Sequence, residues 1–207
     1  MKAQDASPGD EREDPRTRDA SHGGRGEGPH GTVVVVMGVS GCGKSTIAEL
    51  LAERLGGHFK DGDELHPERN IRKMSAGEPL TDADRAPWLE AVRDYAATAA
   101  REHGLCVVAC SALRRGYRDT LRGASDTVFH VFLEGSRELI ASRMSERRGH
   151  FMPPAMLDSQ FEALEVPSAE PRVVTVDITP DPERIAAVAA DALRARNDFP
   201  PPTKEPS

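Results

Sequence analysis

The chain has 207 residues and a formal net charge of −7, with 27 basic and 34 acidic side chains. The shortage of lysine and arginine argues against a nucleic-acid-binding protein, whose affinity would come mostly from cations on phosphates. No apolar run reaches the ~20 residues of a membrane span, and no secretory signal is visible. The three cysteines form no disulfide framework. We therefore expect a cytoplasmic protein whose partners include neither nucleic acid nor membrane.

The apolar residues are concentrated in the middle of the chain. Residues 1–31 are rich in glycine, proline and charge, and such a segment cannot bury enough surface to offset its ordering entropy. We predict that 1–31 is a disordered tail and that the proline-rich residues 197–207 form a flexible C-terminal tail. Residues 32–196 are enough for one compact domain.

The first predicted elements are a strand and a helix. Thr32–Met37 is a β-branched run that suits a central parallel strand covered on both faces. After it, apolar residues recur every four positions from Ile47 to Leu55, a period typical of a helix. We predict that this helix begins at Ser45 and ends before Gly56.

Strands and helices alternate along the rest of the chain. A long helix is predicted from about Asp84 to His103, with Pro87 in its first turn, where proline is tolerated. The other predicted strands are 58–60, 105–110, 128–133 and 172–178, and the other predicted helices are 68–75, 114–121, 137–147, 155–165 and 182–194. This alternation indicates an α/β fold, with a parallel sheet flanked by helices on both faces.

The segment between the first strand and the first helix reads GVSGCGKS and fits the P-loop pattern G-x-x-x-x-G-K-[ST]. In such a loop the glycines let backbone N–H groups surround phosphate oxygens, and the helix N-terminus adds positive potential. Lys44 can reach the β- and γ-phosphates, and Ser45 can bind Mg²⁺. The residues predicted to bind a nucleoside triphosphate are Gly38, Val39, Ser40, Gly41, Cys42, Gly43, Lys44 and Ser45.

The rest of the sequence narrows the class of P-loop protein. The D-x-x-G and N-K-x-D patterns of a GTPase are absent from the sequence. The predicted strand 105–110 is followed by Ser111, where a motor-type ATPase would have an aspartate. Small-molecule and nucleotide kinases are the class of P-loop enzymes that is left. They place acids after the second strand and close an arginine-bearing lid. A regulatory module that binds nucleotide and a partner protein without turnover is the alternative from another class.

Acids and arginines stand where such a kinase needs them. Asp61 and Asp63 flank a glycine after the second predicted strand. One carboxylate there can hold Mg²⁺ through water while the other orients or deprotonates the acceptor hydroxyl, although a plain turn would use the same residues. Arg143 and Arg147 lie on one face of a predicted helix. They could belong to a lid that reaches the phosphoryl group, or only complement the helix dipole.

A polar insert follows the acids and borders the expected acceptor pocket. Its cations could hold a polyhydroxylated anion, because arginine binds a carboxylate bidentately. Trp88 is expected to pack in the core, and Arg118 could be a surface charge. The residues predicted to bind substrate are Asp63, His66, Arg69, Asn70, Lys73 and Arg114. Of these, His66 and Asn70 could instead cap turns or helices.

The sequence resembles the gluconate kinases of the small P-loop type, which are related to shikimate kinase. The resemblance runs from about Val33 to Asp177, includes the continuous run from Leu65 to Leu80, and is densest from His66 to Lys73. Further matching pieces are Cys110–Arg114, Tyr117–Asp119, Arg147–Phe151, Met156-Leu157 and Gln160–Pro167. Arg148 stands where many members of the family carry lysine.

The resemblance implies a P-loop kinase fold with a helical lid and, commonly, a homodimer. It implies ATP and D-gluconate as substrates, 6-phosphogluconate as a product that enters the pentose phosphate pathway, and Mg²⁺ as cofactor. It also implies that Asp61 supports the metal through water, that Asp63 contacts the acceptor hydroxyl and that Arg147 closes with the lid. Another small-molecule or nucleotide kinase on the same scaffold is the alternative within the class.

Overall fold

The computed structural model describes residues 31–146 and 154–201, and in these ranges the strands form one parallel sheet. The sheet has five strands in the order β2-β3-β1-β4-β5. All of the strand pairs are parallel, so the carboxyl ends of the strands meet at one edge, where open α/β sheets bind their ligands. The strands are β1 (Thr32–Met37), β2 (His58–Asp61), β3 (Leu105–Ala109), β4 (Thr127–Glu134) and β5 (Val173–Asp177).

The described helices cover the sheet on both faces, which confirms the predicted α/β fold. Val34 and Val36 of β1 pack with residues of α1 and α7, whereas Val33 and Val35 pack with residues of α3. None of the described helices is long and apolar enough to cross a membrane. The helices are α1 (Lys44–Leu55), α2 (Glu68–Ser75), α3 (Asp82–His103), α4 (Arg115–Arg122), α5 (Arg137–Glu146), α6 (Pro154–Ala163) and α7 (Pro182–Arg194), with a 3-10 helix at Gly62–Leu65.

The bounds of most elements agree with the prediction to within two residues, and α3 shows why they can differ. α3 begins at Asp82 because Thr81 caps it in a capping box. The Thr81 hydroxyl accepts the N–H of Asp84, and the Asp84 carboxylate accepts the N–H of Thr81. Pro87 therefore lies in the second turn instead of the first, and its missing N–H leaves the Ala83 carbonyl without an intrahelical donor. The Arg69 guanidinium donates to that carbonyl at 3.5 Å.

The two predicted tails have different outcomes. Residues 1–30 lie outside the described residues, so the disordered tail stays a prediction. The C-terminal stretch is described as far as residue 201, and its first residues pack on the domain. Phe199 meets Phe129 of β4 edge-on at a ring-centroid distance of 5.2 Å, and Asp198 pairs with Arg172 at 2.9 Å. The compact domain therefore continues past residue 196, because an aromatic ring there finds an apolar surface.

Candidate active site

The P-loop lies between β1 and α1, as its sequence predicts. Gly41 and Gly43 have φ angles of 83° and 97°, a left-handed conformation that favours glycine. Gly41 also has no room for a side chain, because a Cβ there would lie 2.6 Å from Met144 Cγ of α5. Backbone N–H groups of this loop and of the first turn of α1 can therefore approach an anion closely.

Two polar groups of the loop bond to oxygens of the chain itself. The Lys44 ammonium donates to the Val39 carbonyl at 3.2 Å. The N–H of Ser40 donates to the side-chain oxygen of Gln160, on α6, at 2.6 Å. Ser45, in the first turn of α1, is exposed, so its hydroxyl is accessible to a metal ion.

The predicted acids form a rigid turn at the end of β2. Asp61 is the last residue of the strand and the N-cap of the 3-10 helix, and its Oδ1 accepts the N–H of Asp63 at 3.0 Å. Gly62 between them is buried, and a Cβ there would lie 2.5 Å from the carbonyl oxygen of Ala109 in β3. Only glycine fits so close to β3. The segment is thus a turn, and that turn leaves the Asp63 side chain at the exposed surface.

The acidic turn and the P-loop both lie at the carboxyl end of β3. Burial raises the pKa of the Cys110 thiol, which follows that strand, to about 12. Val36 of β1 and Asp61 of β2 both lie opposite Ala109 of β3. The P-loop that follows β1 and the acidic turn that follows β2 therefore lie at the same end of β3. Burial likewise raises the pKa of the Cys42 thiol, so neither cysteine is a thiolate at neutral pH.

The donor set suits Mg²⁺. In residues 31–146 and 154–201, no group of three or more His, Cys, Asp and Glu side chains could hold a metal ion. Mg²⁺ does not need such a cage, since it keeps several waters and is held by one or two carboxylates and the phosphates of a substrate. The exposed hydroxyl of Ser45 and the carboxylate of Asp61 are ligands of this kind.

His66 and Asn70 form a buried unit with α3. The His66 ring stacks on Trp88 with centroids 4.1 Å apart, and burial lowers the pKa of its imidazole. The Asn70 amide donates to the carbonyl of Asp84 at 2.8 Å and lies 3.3 Å from Nδ1 of His66. Nδ1 therefore accepts, and the neutral imidazole carries its proton on Nε2. The backbone N–H of His66 donates to the Asp63 carbonyl at 3.3 Å, which places this residue beside the acidic turn.

The Oδ1 atom of Asn70 is buried and has no hydrogen-bond partner within the described ranges. Asn70 itself is 0% exposed, so in this conformation it holds α2 against α3 and does not face solvent. The prediction that Asn70 or His66 could have a structural role fits these contacts. Among the residues that the structure describes, the Nε2–H of His66 has no hydrogen-bond acceptor.

The three predicted substrate-binding cations differ in how strongly the protein neutralises them. Lys73 lies 2.8 Å from the Asp84 carboxylate, and this bond, with those from Thr81, holds the pKa of Asp84 well below its usual range. Arg114 lies 2.7 Å from Asp82. Arg69, which is exposed, has the 3.5 Å bond to the Ala83 carbonyl described above. Its charge is the least compensated of the three.

Arg118 was expected as a possible surface charge, and that expectation is wrong. Its side chain is 1% exposed and forms a bidentate ion pair with Glu170. Its Nη1 donates to the carbonyls of Ala112 and Leu113 at 2.9 and 3.0 Å, which holds Ala112 at a φ of 45°. Its position three residues before the buried Leu121, on the inner side of a short helix, was the available signal.

One hydrogen bond connects the segment that Arg118 holds to the P-loop. Ser111 precedes Ala112 in this segment, and its carbonyl accepts the N–H of Gly38 at 3.3 Å. The first glycine of the P-loop is thereby tied to the segment after β3.

The predicted lid arginine, Arg147, lies outside the described residues. Arg143, one turn earlier on α5, donates to the carbonyl of Ile178 at 2.6 Å. Its guanidinium therefore faces the segment that follows β5.

Comparison with known proteins gives consistent matches. A family model for shikimate kinase matches residues 40–172. A gluconokinase of Gluconobacter oxydans is 49% identical over 69% of this chain and 80% of its own length. The thermoresistant gluconokinase of Escherichia coli is 44% identical over 78% of this chain and 93% of its own.

Solved structures agree with these matches. A gluconokinase from Sinorhizobium meliloti superposes with a TM-score of 0.70 at 46% identity, over 79% of this chain and 95% of its own. A shikimate kinase from Aquifex aeolicus shares the fold, with a TM-score of 0.54 at 16% identity, over 79% of this chain and 96% of its own.

Proposed function

The chain belongs to the gluconokinases of the P-loop shikimate-kinase type, and from this membership we propose which side chains carry out each part of the reaction. The enzyme transfers the γ-phosphoryl group of ATP to gluconate. The observation that carries the proposal is that β1, which leads into the P-loop, and β2, which ends at Asp61, both pair with β3 and end at the same edge of the sheet. The phosphate donor and the acceptor hydroxyl meet at this point.

The P-loop binds the triphosphate. Its backbone N–H groups and the N-terminus of α1 hold phosphate oxygens, and the Lys44 ammonium leaves the Val39 carbonyl to neutralise charge on the β- and γ-phosphates. Ser45 would hold Mg²⁺ and Asp61 would support it through water. When bound, Mg²⁺ would supply further charge neutralisation on the phosphates.

Asp63 receives the acceptor. Its exposed carboxylate accepts a hydrogen bond from the primary hydroxyl of gluconate. It takes the proton as the hydroxyl oxygen bonds to the γ-phosphorus and the bond from that phosphorus to the bridging oxygen breaks, which releases ADP. The buried Gly62 and the bond from the Asp63 N–H to Asp61 hold the backbone that carries this side chain, which limits the cost of positioning it for the reaction. His66, with its proton on Nε2, donates to a neighbouring hydroxyl of the sugar acid.

Gluconate also carries a carboxylate at the end remote from the reacting hydroxyl, and that group needs a cation. We assign it to Arg69, whose charge is the least compensated on α2. Lys73 and Arg114, which are paired with Asp84 and Asp82, shape the walls of the pocket. Asn70 keeps α2 in place.

Three further assignments belong to the same proposal. Arg147 closes over the phosphoryl group as part of the lid, an assignment that rests on the family resemblance. The homodimer rests on that resemblance as well. The cytoplasmic location is supported by the cysteines, since Cys42, Cys106 and Cys110 are all free and buried.

An assay of ADP release with different acceptors tests the function. We expect release to depend on gluconate and to be far slower with glucose, which lacks the carboxylate. Shikimate or a nucleoside monophosphate outperforming gluconate would move the chain to another kinase class. Binding of ATP without release of ADP under any acceptor would instead indicate a regulatory module.

A further inference from the structure

A side-chain amide of α6 sits on the phosphate-binding loop. The Oε1 atom of Gln160 accepts the N–H of Ser40 at 2.6 Å, across 120 positions in the chain. Ser40 belongs to the loop whose N–H groups receive phosphate oxygens. An amide oxygen and a phosphate oxygen are both acceptors, so a phosphate oxygen at the Ser40 N–H would compete with Gln160.

The helix that carries Gln160 is anchored on the domain. Leu157, one turn earlier on α6, is 3% exposed and belongs to the hydrophobic core. Asp158 pairs with Arg137 of α5 at 2.6 Å. α5 in turn packs against the P-loop, since its Met144 fills the space beside Gly41. The helix that places Gln160 against Ser40 is therefore itself packed on the domain.

We propose that ATP displaces the Gln160 side chain from Ser40 when it binds to the P-loop. The Gln160 amide oxygen accepts the Ser40 N–H in the absence of nucleotide, and a phosphate oxygen of ATP replaces that amide oxygen. Gln160 thereby lowers the affinity of the P-loop for the triphosphate. It also couples the position of α6 to nucleotide binding. The proposal rests on the nucleotide site assigned above, and it adds a residue that acts against binding.

Two substitutions with opposite expected effects test the proposal. Gln160→Ala removes the competing acceptor, so the Kd for ATP should fall roughly two- to tenfold, the net worth of one hydrogen bond. Gln160→Glu supplies a charged acceptor for the same N–H and repels the triphosphate, so the Kd should rise at least several-fold. The measurement is calorimetric titration of the full chain with ATP and Mg²⁺ in the absence of gluconate.

Glu162 is the matched control, because it is exposed on the same helix two residues later. At about 0.15 M salt, where exposed charges beyond ~8 Å are largely screened, Glu162→Ala should change the Kd less than twofold. Thermal unfolding of each variant checks that the fold is retained.

The remaining outcomes overturn the proposal in distinguishable ways. Weaker binding by Gln160→Ala would mean that the amide contacts the nucleotide itself. Equal affinity in the parent and both Gln160 variants would remove the competition and leave the nucleotide site standing. A parent chain that does not bind ATP would refute the site and this inference together.

Discussion

Trp88 holds Gly62 in place: its indole N–H donates to the Gly62 carbonyl at 2.8 Å. The same ring stacks on His66, and Trp88 is itself 2% exposed. A single buried side chain of α3 therefore supports both the acidic turn and the imidazole beside it. The prediction that Trp88 packs in the core is confirmed, and its contacts add a supporting role for the acceptor site.

Trp88→Phe tests this support. Phenylalanine keeps an aromatic ring for His66 but leaves the buried Gly62 carbonyl without its donor, so the free energy of unfolding should fall by about 1–3 kcal/mol. The kcat should fall as well, because the turn that holds Asp63 loses a constraint. Denaturant unfolding and steady-state kinetics measure the two effects.

Tyr95→Phe is the comparison for Trp88→Phe, since it also removes one side-chain hydrogen bond of α3, to His58 at 2.8 Å. That bond lies at the start of β2, away from the acids, so kcat should stay near the parent value. An equal loss of kcat in both variants would contradict the specific role of Trp88.

Lys44→Ala should abolish turnover and keep the fold. Loss of one preorganised electrostatic contact costs about 10²–10³ in rate, and a P-loop lysine should cost at least that much. In the described chain Lys44 contributes one hydrogen bond, to the Val39 carbonyl, so the melting temperature should change little. Lys60→Ala, which removes an exposed pair with Glu64, is the control. Activity of Lys44→Ala within a few-fold of the parent would refute the nucleotide site.

Substitution of Asp61 and of Asp63 by asparagine should cause different kinetic defects. Asp63→Asn removes the acceptor's proton-accepting partner, so kcat should drop by about 10²–10⁴ while ATP still binds. Asp61→Asn should raise the Mg²⁺ concentration needed for half-maximal activity, with partial recovery at excess metal. Titrations of activity against Mg²⁺ separate the two. A defect in both variants that excess metal repairs equally would show that the roles are not divided.

Arg69→Ala should raise the KM for gluconate by about 10- to 100-fold, as expected for a hydrogen bond to a charged group. The KM for ATP should change little. Arg72→Ala is the matched control on α2, because Arg72 is exposed and paired with Glu68 at 2.5 Å. If the Arg69 variant retains the parent KM for gluconate, the carboxylate binds elsewhere.

His130 should make the fold sensitive to acid. It is completely buried on β4, and neither ring nitrogen has a partner in residues 31–146 and 154–201. Burial lowers the pKa of this imidazole to about 3. Between pH 6.5, the usual pKa of histidine, and pH 3, His130 binds a proton in the unfolded chain but not in the folded chain. The free energy of unfolding therefore falls as the pH falls through this range.

His130→Leu removes that titration. The free energy of unfolding, measured in urea at several pH values between 7 and 4, should decline less steeply in the variant than in the parent. The slope is the informative quantity, since a constant packing cost of leucine shifts every point equally. Parallel curves for the two proteins would show that His130 does not titrate in this way.

The features that could be predicted from sequence are those set by neighbouring residues. The β-branched run of β1, the period of α1 and the glycines of the P-loop are local patterns with one structural solution. The start of α3 lies two residues before its predicted position, because the capping box of Thr81 and Asp84 begins the helix at Asp82.

Contacts between segments that are distant in the chain could not be predicted from the sequence. Arg118 pairs with Glu170 across 52 positions, and nothing near either residue indicates its partner. The assignment of substrate cations had the same limit, because Lys73 and Arg114 were visible as charges while their carboxylates on α3 became partners only through packing.

The order of the strands sets a length scale for catalysis. β3 lies between β1, which delivers the P-loop, and β2, which delivers the acids. Neighbouring strands are spaced by about 4.8 Å, so the two backbones are separated by roughly 10 Å whatever side chains they carry. The sheet thus acts as a ruler between phosphate donor and hydroxyl acceptor. Changes in the insert after β2 can therefore alter which acceptor is chosen without changing the separation between the P-loop backbone and the backbone of the acidic turn.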